Sequence, residues 1–208
     1  MYATLMLRVL MPCVACLALA MTVDAQIRPT RQFHGPLQES WEWLPTRNLY
    51  SNNMVTPPMA IMRGNAVISG GRLVVYQPGR NYPWWHLGSL VMAGVAHGKK
   101  AVGVESDANH EDADSSVTIQ FNRPVSSFGG YWATALIAGH NSITFSFYDS
   151  SGGLIGTETV TYSNFSGAPE WHGWHSTVPI KRVTYRGRFV AVDYLQAAPV
   201  GHVRRWRL

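Results

Sequence analysis

Cysteine is nearly missing from this 208-residue chain: Cys13 and Cys16 are the only two, and both fall within the first 25 residues. That segment reads as an export signal. Arg8 supplies a positive start, Val9 to Val23 is apolar except for Pro12 and Thr22, and Val23-Asp24-Ala25 sets small residues at a cleavage position. After cleavage the mature chain has no disulfide, no thiol nucleophile and no Cys-based zinc site. Long apolar runs are missing too. Beyond the leader nothing reaches the roughly 18 uninterrupted apolar residues that a membrane span requires, so the mature chain is expected to have no transmembrane segment. The expected location is secreted, periplasmic or cell-surface.

The motifs of common chemistries are also absent. There is no H-E-x-x-H pair to bind zinc beside a base, and no G-x-S-x-G nucleophile elbow. Acids at 105–114 lack the D-x-D-x-D-G order of an EF-hand and read as a solvated loop. His172 and His175 are three residues apart in an expected strand, which sends them to opposite faces unless Gly173 is bulged. They read as structural or surface histidines. No repeat or low-complexity tract occurs, and the mature chain holds no convincing helix.

Charge is sparse and uneven. Residues 26–180 carry a net charge of −1, whereas residues 181–208 carry +6, with Asp193 their only acid. A basic end of an exported protein reads as a solvated tail and strand edge, and no nucleic-acid partner is expected.

What the chain does have is strand after strand. Val117-Thr-Ile-Gln-Phe121, Ile143-Thr-Phe-Ser-Phe147 and Ile180 to Leu195 alternate apolar with polar residues, the period-2 signature of a half-buried strand. About ten short strands are separated by Gly-, Pro-, Asn- and Ser-rich turns. The expected strands include 37–45, 66–69 and 73–76 (a hairpin about Gly70-Gly71), 100–105, 117–123, 127–133, 154–162, 171–176, 180–185 and 189–195. Trp41 and Trp43 share a face in this reading and join the core, as does one of Trp171 and Trp174. The fold expected is an all-β, jelly-roll-like antiparallel sandwich. The organisation is a signal peptide at 1–25, a polar lead-in at 26–36, a sandwich domain at 37–197 and a basic tail at 198–208.

The order of four segments carries a resemblance: S-S-F-G-G-Y-W (126–132), I-T-F-S-F-Y-D-S-S-G-G-L-I-G (143–156), E-W-H-G-W-H-S-T-V-P-I-K-R-V-T-Y-R-G (170–187) and V-A-V-D-Y-L-Q (190–196), with Glu39-Ser40-Trp41-Glu42 ahead of them. Over about residues 37–196 the chain resembles exported bacterial jelly-roll domains found in PEP-CTERM-type surface proteins, a family of no established activity. It departs from them in ending on R-R-W-R-L, without an apolar sorting segment. In such modules an acid of the first strand and an Asp of the last often share a structural Ca²⁺. The resemblance therefore implies Glu42, or with less support Glu39, paired with Asp193, and backbone carbonyls completing the shell. By alternation Asp193 shares a strand face with Phe189, Ala191 and Leu195, which points it inward. The alternative is that Asp193 accepts backbone or arginine hydrogen bonds and Glu42 is solvated.

Aromatic residues are the remaining lead. Tyr82, Trp84 and Trp85 sit in a Pro/Gly-broken stretch rather than an alternating strand. A flat indole can stack on the C–H face of a sugar, and packing of the loop onto the core is the competing use. The reading is a non-catalytic exported binding module for glycan or extracellular matrix. A structural or adhesion protein with protein partners, and a secreted hydrolase with an unrecognised site, are its alternatives.

Overall fold

The computed structural model describes residues 26–51, 55–78, 95–104, 116–134, 142–162, 168–187 and 190–202. Tyr82, Trp84 and Trp85, the acidic stretch at 105–114, residues 1–25 and the last six residues lie outside them. Among the described residues there are eleven strands: β1 Ile27–Thr30, β2 Leu37–Glu39, β3 Met59–Ile61, β4 Ala66–Gly70, β5 Leu73–Tyr76, β6 Ala101–Val104, β7 Val117–Thr134, β8 Ser142–Tyr148, β9 Leu154–Thr161, β10 Glu170–Arg186 and β11 Val190–Pro199. A single 3₁₀ turn, Met62–Gly64, is the only helical element among them. No helix of the described residues is long and apolar enough to cross a membrane.

Two long strands organise the sandwich. The first part of β7, Val117–Phe121, pairs with β4 and with Arg182–Tyr185 of β10, which pairs in turn with β8, and β8 with β9. The second part of β7 pairs with Glu170–His175 of β10 and with β11; β11 continues to β6 and β5. Register shifts in β10 between His175 and Arg182 mark the place where the ribbon bends from one sheet into the other. Pro124, expected to end a strand, lies inside β7 at this bend, where the ladder is already interrupted and no N–H is needed. The same bend joins the expected strands at 171–176 and 180–185 into β10.

The core lies between the sheets and is built on the alternation. Ile143, Phe145 and Phe147 of β8 are fully buried and their neighbours are not. Trp132 and Trp174 from one sheet meet Phe145, Phe147 and Tyr185 from the other, with ring centroids 4.4–5.3 Å apart. Burying rings of this size supplies much of the stability of a domain whose described residues include no cysteine.

Four sequence expectations are corrected. Trp43 is 62% exposed, whereas Trp41 is buried. β2 stops at Glu39, Trp41 adopts φ +64° and Leu44 N–H closes a turn on Trp41 C=O, so the alternation does not reach Trp43. Gly70-Gly71 does not close a hairpin: β4 pairs with β3 and β7, β5 with β6, and Thr56 clamps the corner between them. Residues 26–36 are more than a lead-in, since β1 pairs with β10 and buries Ile27. Asp193 does not share a face with Leu195. Tyr194 sits at φ +45°, and the ladder shifts register between Asp193 and Gln196, so Leu195 joins Val190 and Val192 in the core while Asp193 keeps to the other face with Ala191.

Candidate binding face

The outer face of the β5-β6-β11-β7-β10 sheet carries the residues with chemistry. Directly paired residues of antiparallel strands project to one face. Asp193 of β11 pairs with Tyr131 of β7, and Tyr131 with Trp171 of β10. Tyr76 of β5 lies near enough to Asp193 to feel its charge. Next to this row the face is floored by small residues: Ala101, Ala133 and Ala191 are buried against Val74 and Tyr76, with Tyr50 and Val95 packed over them.

Trp171 leans over the paired strands β7 and β10. Its indole occupies the space that a Cβ on Gly129 or on Gly173 would need, with Cζ2 2.8 Å and 2.9 Å from those positions. Two glycines directly opposite each other, Gly129 and Gly173, thus make the bed for the ring. Tyr131 and Phe33 meet it edge-on, each with centroids 5.5 Å away, and its Nε1–H reaches Thr30 C=O at 3.4 Å. Trp171 and Tyr131 remain half-buried, while Trp174 is the core member of the pair. Sequence reading missed this arrangement. The available signal was glycine in two strand segments beside aromatics, where a strand interior gains nothing from glycine unless something approaches closely.

Asp193 is fully buried. Its Oδ2 accepts N–H bonds from Ala96 and His97, both at 2.7 Å, and among the described residues its Oδ1 has no partner. Burial pushes the carboxyl up to about 6, with the N–H groups of His97, Ala96 and Tyr194 pulling the other way. The Tyr76 hydroxyl, also buried without a partner among the described residues, is pushed upward by burial and by Asp193. Glu42 serves the same loop: Oε1 accepts from Lys99 N–H at 2.7 Å and Lys100 N–H at 2.8 Å. Gly98, at φ +75°, lies between the two anchors, and a Cβ there would strike the Glu42 carboxylate. The Lys100 ammonium donates to the carbonyls of Glu42 and Leu44 at 2.8 and 2.6 Å. His97 stacks on Tyr194 at 4.1 Å.

Glu39 has a separate task. Oε1 accepts from Trp41 N–H and Trp43 Nε1–H, and Oε2 from Met62 N–H at 2.8 Å. It holds together the left-handed backbone at Trp41 and at Met62-Arg63, and both its oxygens are engaged. Among the described residues no three His, Asp or Glu side chains converge on a metal position. His172 and His175 follow β10 without a bulge at Gly173 and so face opposite ways. His172 packs edge-on against Tyr162, and burial lowers its pKa despite Glu170 nearby; His175 Nδ1 lies 3.0 Å from Ser127 Oγ.

No protein-family model matches the chain, and no curated protein matches it. Solved structures do. A DUF4465 family protein from Bacteroides caccae has 12% identity and a TM-score of 0.52 over 77% of this chain and 99% of its own. The K2 cleaved adhesin domain of Lys-gingipain (Kgp) has 12% identity and a TM-score of 0.48, covering 77% and 98%. CsCBM6-3 from Clostridium stercorarium, solved in complex with cellobiose, has 15% identity and a TM-score of 0.36, covering 82% and 99%. At these identities the likeness to the DUF4465 protein shows a shared fold: this chain is an all-β, jelly-roll-like sandwich.

Proposed function

We propose that the chain is an exported, non-catalytic binding module that takes carbohydrate on the outer face of the β5-β6-β11-β7-β10 sheet. One observation carries the reading: the half-buried Trp171 indole is seated against Gly129 and Gly173 and braced by T-shaped contacts with Tyr131 and Phe33. An indole held in place by such contacts is pre-organised to meet a sugar ring at little entropic cost. Asp193 does not serve as an acid catalyst in this reading, because its complete burial withholds it from a ligand. Its raised pKa follows from that burial. Tyr82, Trp84 and Trp85, neighbours in sequence, are a second aromatic candidate that the same experiment separates from the first. A glycan array probed with wild type, Trp171→Ala and a Trp84/Trp85 double alanine variant assigns the surface. Binding undiminished in Trp171→Ala sinks the proposed face. Export is tested by the N-terminus of the secreted protein, which is Gln26 if the leader is cleaved after Ala25.

A structural calcium ion at Glu42 and Asp193 is a separate proposal. The unpartnered, buried Asp193 Oδ1 supports it. Against it stand the four backbone N–H groups already directed at the two carboxylates and the Lys100 ammonium seated on the Glu42 and Leu44 carbonyls, where a cation would look for oxygen ligands. If calcium is bound, EDTA lowers the melting temperature and Asp193→Ala abolishes the difference. An unchanged melting temperature removes the ion.

A further inference from the structure

We propose a second site, selective for acidic sugars, on the outer face of the other sheet. A pocket of about 280 Å³ lies where Lys181 and Arg182 of β10 and Gln120 of β7 meet the β8–β9 hairpin tip at Ser150, Ser151 and Gly152. Arg182 pairs with Gln120 on one side and Tyr148 on the other, and its guanidinium lies 4.1 Å above the Tyr148 ring. The fork is therefore held in one orientation, while its buried Nε–H has no acceptor among the described residues. Among the described residues neither Lys181 nor Arg182 forms an ion pair; the Lys181 ammonium donates to Asn122 C=O at 2.9 Å. Asp149 is the acid lining the pocket, and it is committed to the hairpin. Its Oδ1 accepts from Ser151 N–H, Ser151 Oγ–H and Gly153 N–H, which together hold its pKa below the usual carboxylate range. The pocket thus presents two cations to one acid whose charge is already solvated by the turn.

The surroundings decide the class of anion. One step along the strands, a single row of hydroxyl side chains crosses five strands: Ser69, Thr118, Thr184, Ser146 and Thr157. At the spacing of paired strands this row is about 19 Å long. A hydroxyl-lined strip beside a cationic fork suits a polyhydroxylated chain that bears carboxylate or sulfate groups, with the planar Arg182 fork taking the anion bidentately. The pocket volume suits one ring of such a chain rather than a large apolar ligand.

The test is a titration of the whole mature protein with an oligogalacturonate, a heparin hexasaccharide, neutral cellohexaose and a single-stranded oligonucleotide of matching charge. Either acidic saccharide binding with salt-sensitive affinity, and at least tenfold more weakly to K181Q/R182Q, supports the site, and the tighter of the two identifies carboxylate or sulfate as its anion. Tyr148→Phe, which keeps the ring under the guanidinium, retains binding. Trp171→Ala leaves this binding unchanged even where it abolishes binding of neutral glycan, so the two sites fail separately. Equal binding by K181Q/R182Q with an unaltered melting temperature, or cellohexaose or the oligonucleotide binding as tightly as the acidic saccharides, overturns the proposal.

Discussion

Glu42 and Asp193 hold opposite ends of one loop: Asp193 Oδ2 takes the N–H groups of Ala96 and His97, and Glu42 Oε1 takes those of Lys99 and Lys100. The two acids lie 151 positions apart in the chain and never need to touch. Each neutralises backbone dipoles that would otherwise stay unpaired, and Gly98 between them allows the turn. The anchored loop stands beside the Tyr194 ring at the edge of the proposed sugar face.

The buried Asp193 has a pH consequence. Its folded-state pKa, about 6, lies above the ordinary carboxylate value, so between about pH 4 and 6 the native state binds more protons than the unfolded chain. Stability is then full below that window and falls as pH rises through it, by on the order of 3 kcal/mol. Asp193→Asn keeps an acceptor for Ala96 and His97 and removes the charge. Urea titrations from pH 4 to 8 are expected to show a flatter profile for the variant and higher stability than wild type at pH 7.

Gly129 and Gly173 separate two effects of an added methyl. At Gly173 the new Cβ meets only the Trp171 ring, so Gly173→Ala displaces the indole, weakens glycan binding and costs about 1 kcal/mol or less. At Gly129 it also meets the Gly173 Cα at 2.8 Å, so backbone must move. Gly129→Ala is expected to cost about 1–3 kcal/mol by overpacking. Thermal melts beside a binding assay resolve the pair.

Glu39 organises the chain where β2 ends. Glu39→Ala strands the N–H groups of Trp41 and Met62 and the Trp43 indole N–H, of which the first two are buried contacts. Losing hydrogen bonds to a charged acceptor costs about 1.5–3 kcal/mol each where the donor stays buried, so a total loss above about 3 kcal/mol is expected by chemical denaturation. Glu39→Gln, which retains one acceptor oxygen, loses less.

Lys100 is a lock on the loop. Lys100→Met removes two donations to carbonyls and frees the 96–100 segment without touching the main core. Faster amide exchange at Ala96–Lys100, with exchange in β8 unchanged, is the expected outcome. Uniform acceleration across both would mean that the loop and core open together.

Much of the architecture was legible because strand alternation is local. Ile143, Phe145 and Phe147 announce their buried face from spacing alone, and the Ser150–Gly153 turn announces β8–β9. The failures sit where backbone leaves the extended region. Trp43 was read as a core residue, but φ +64° at Trp41 ends the alternation before it. Asp193 was placed on the face of Leu195, but the bulge at Tyr194 sets them on opposite faces. A period-2 pattern cannot show such a shift, because the extra residue is specified by pairing with β7 and not by its neighbours in sequence.

By itself, then, the sequence determined that this chain makes strands, which faces of most strands are apolar, and that residues 26–208 hold together without a disulfide among them. Only tertiary structure decided which residues act together. Asp193, Tyr131 and Trp171 form a row, and Lys181 and Arg182 border a hydroxyl strip, because strands far apart in the chain pair in one register. Hydrogen-bonded pairing between distant segments sets that register, and no local pattern records it.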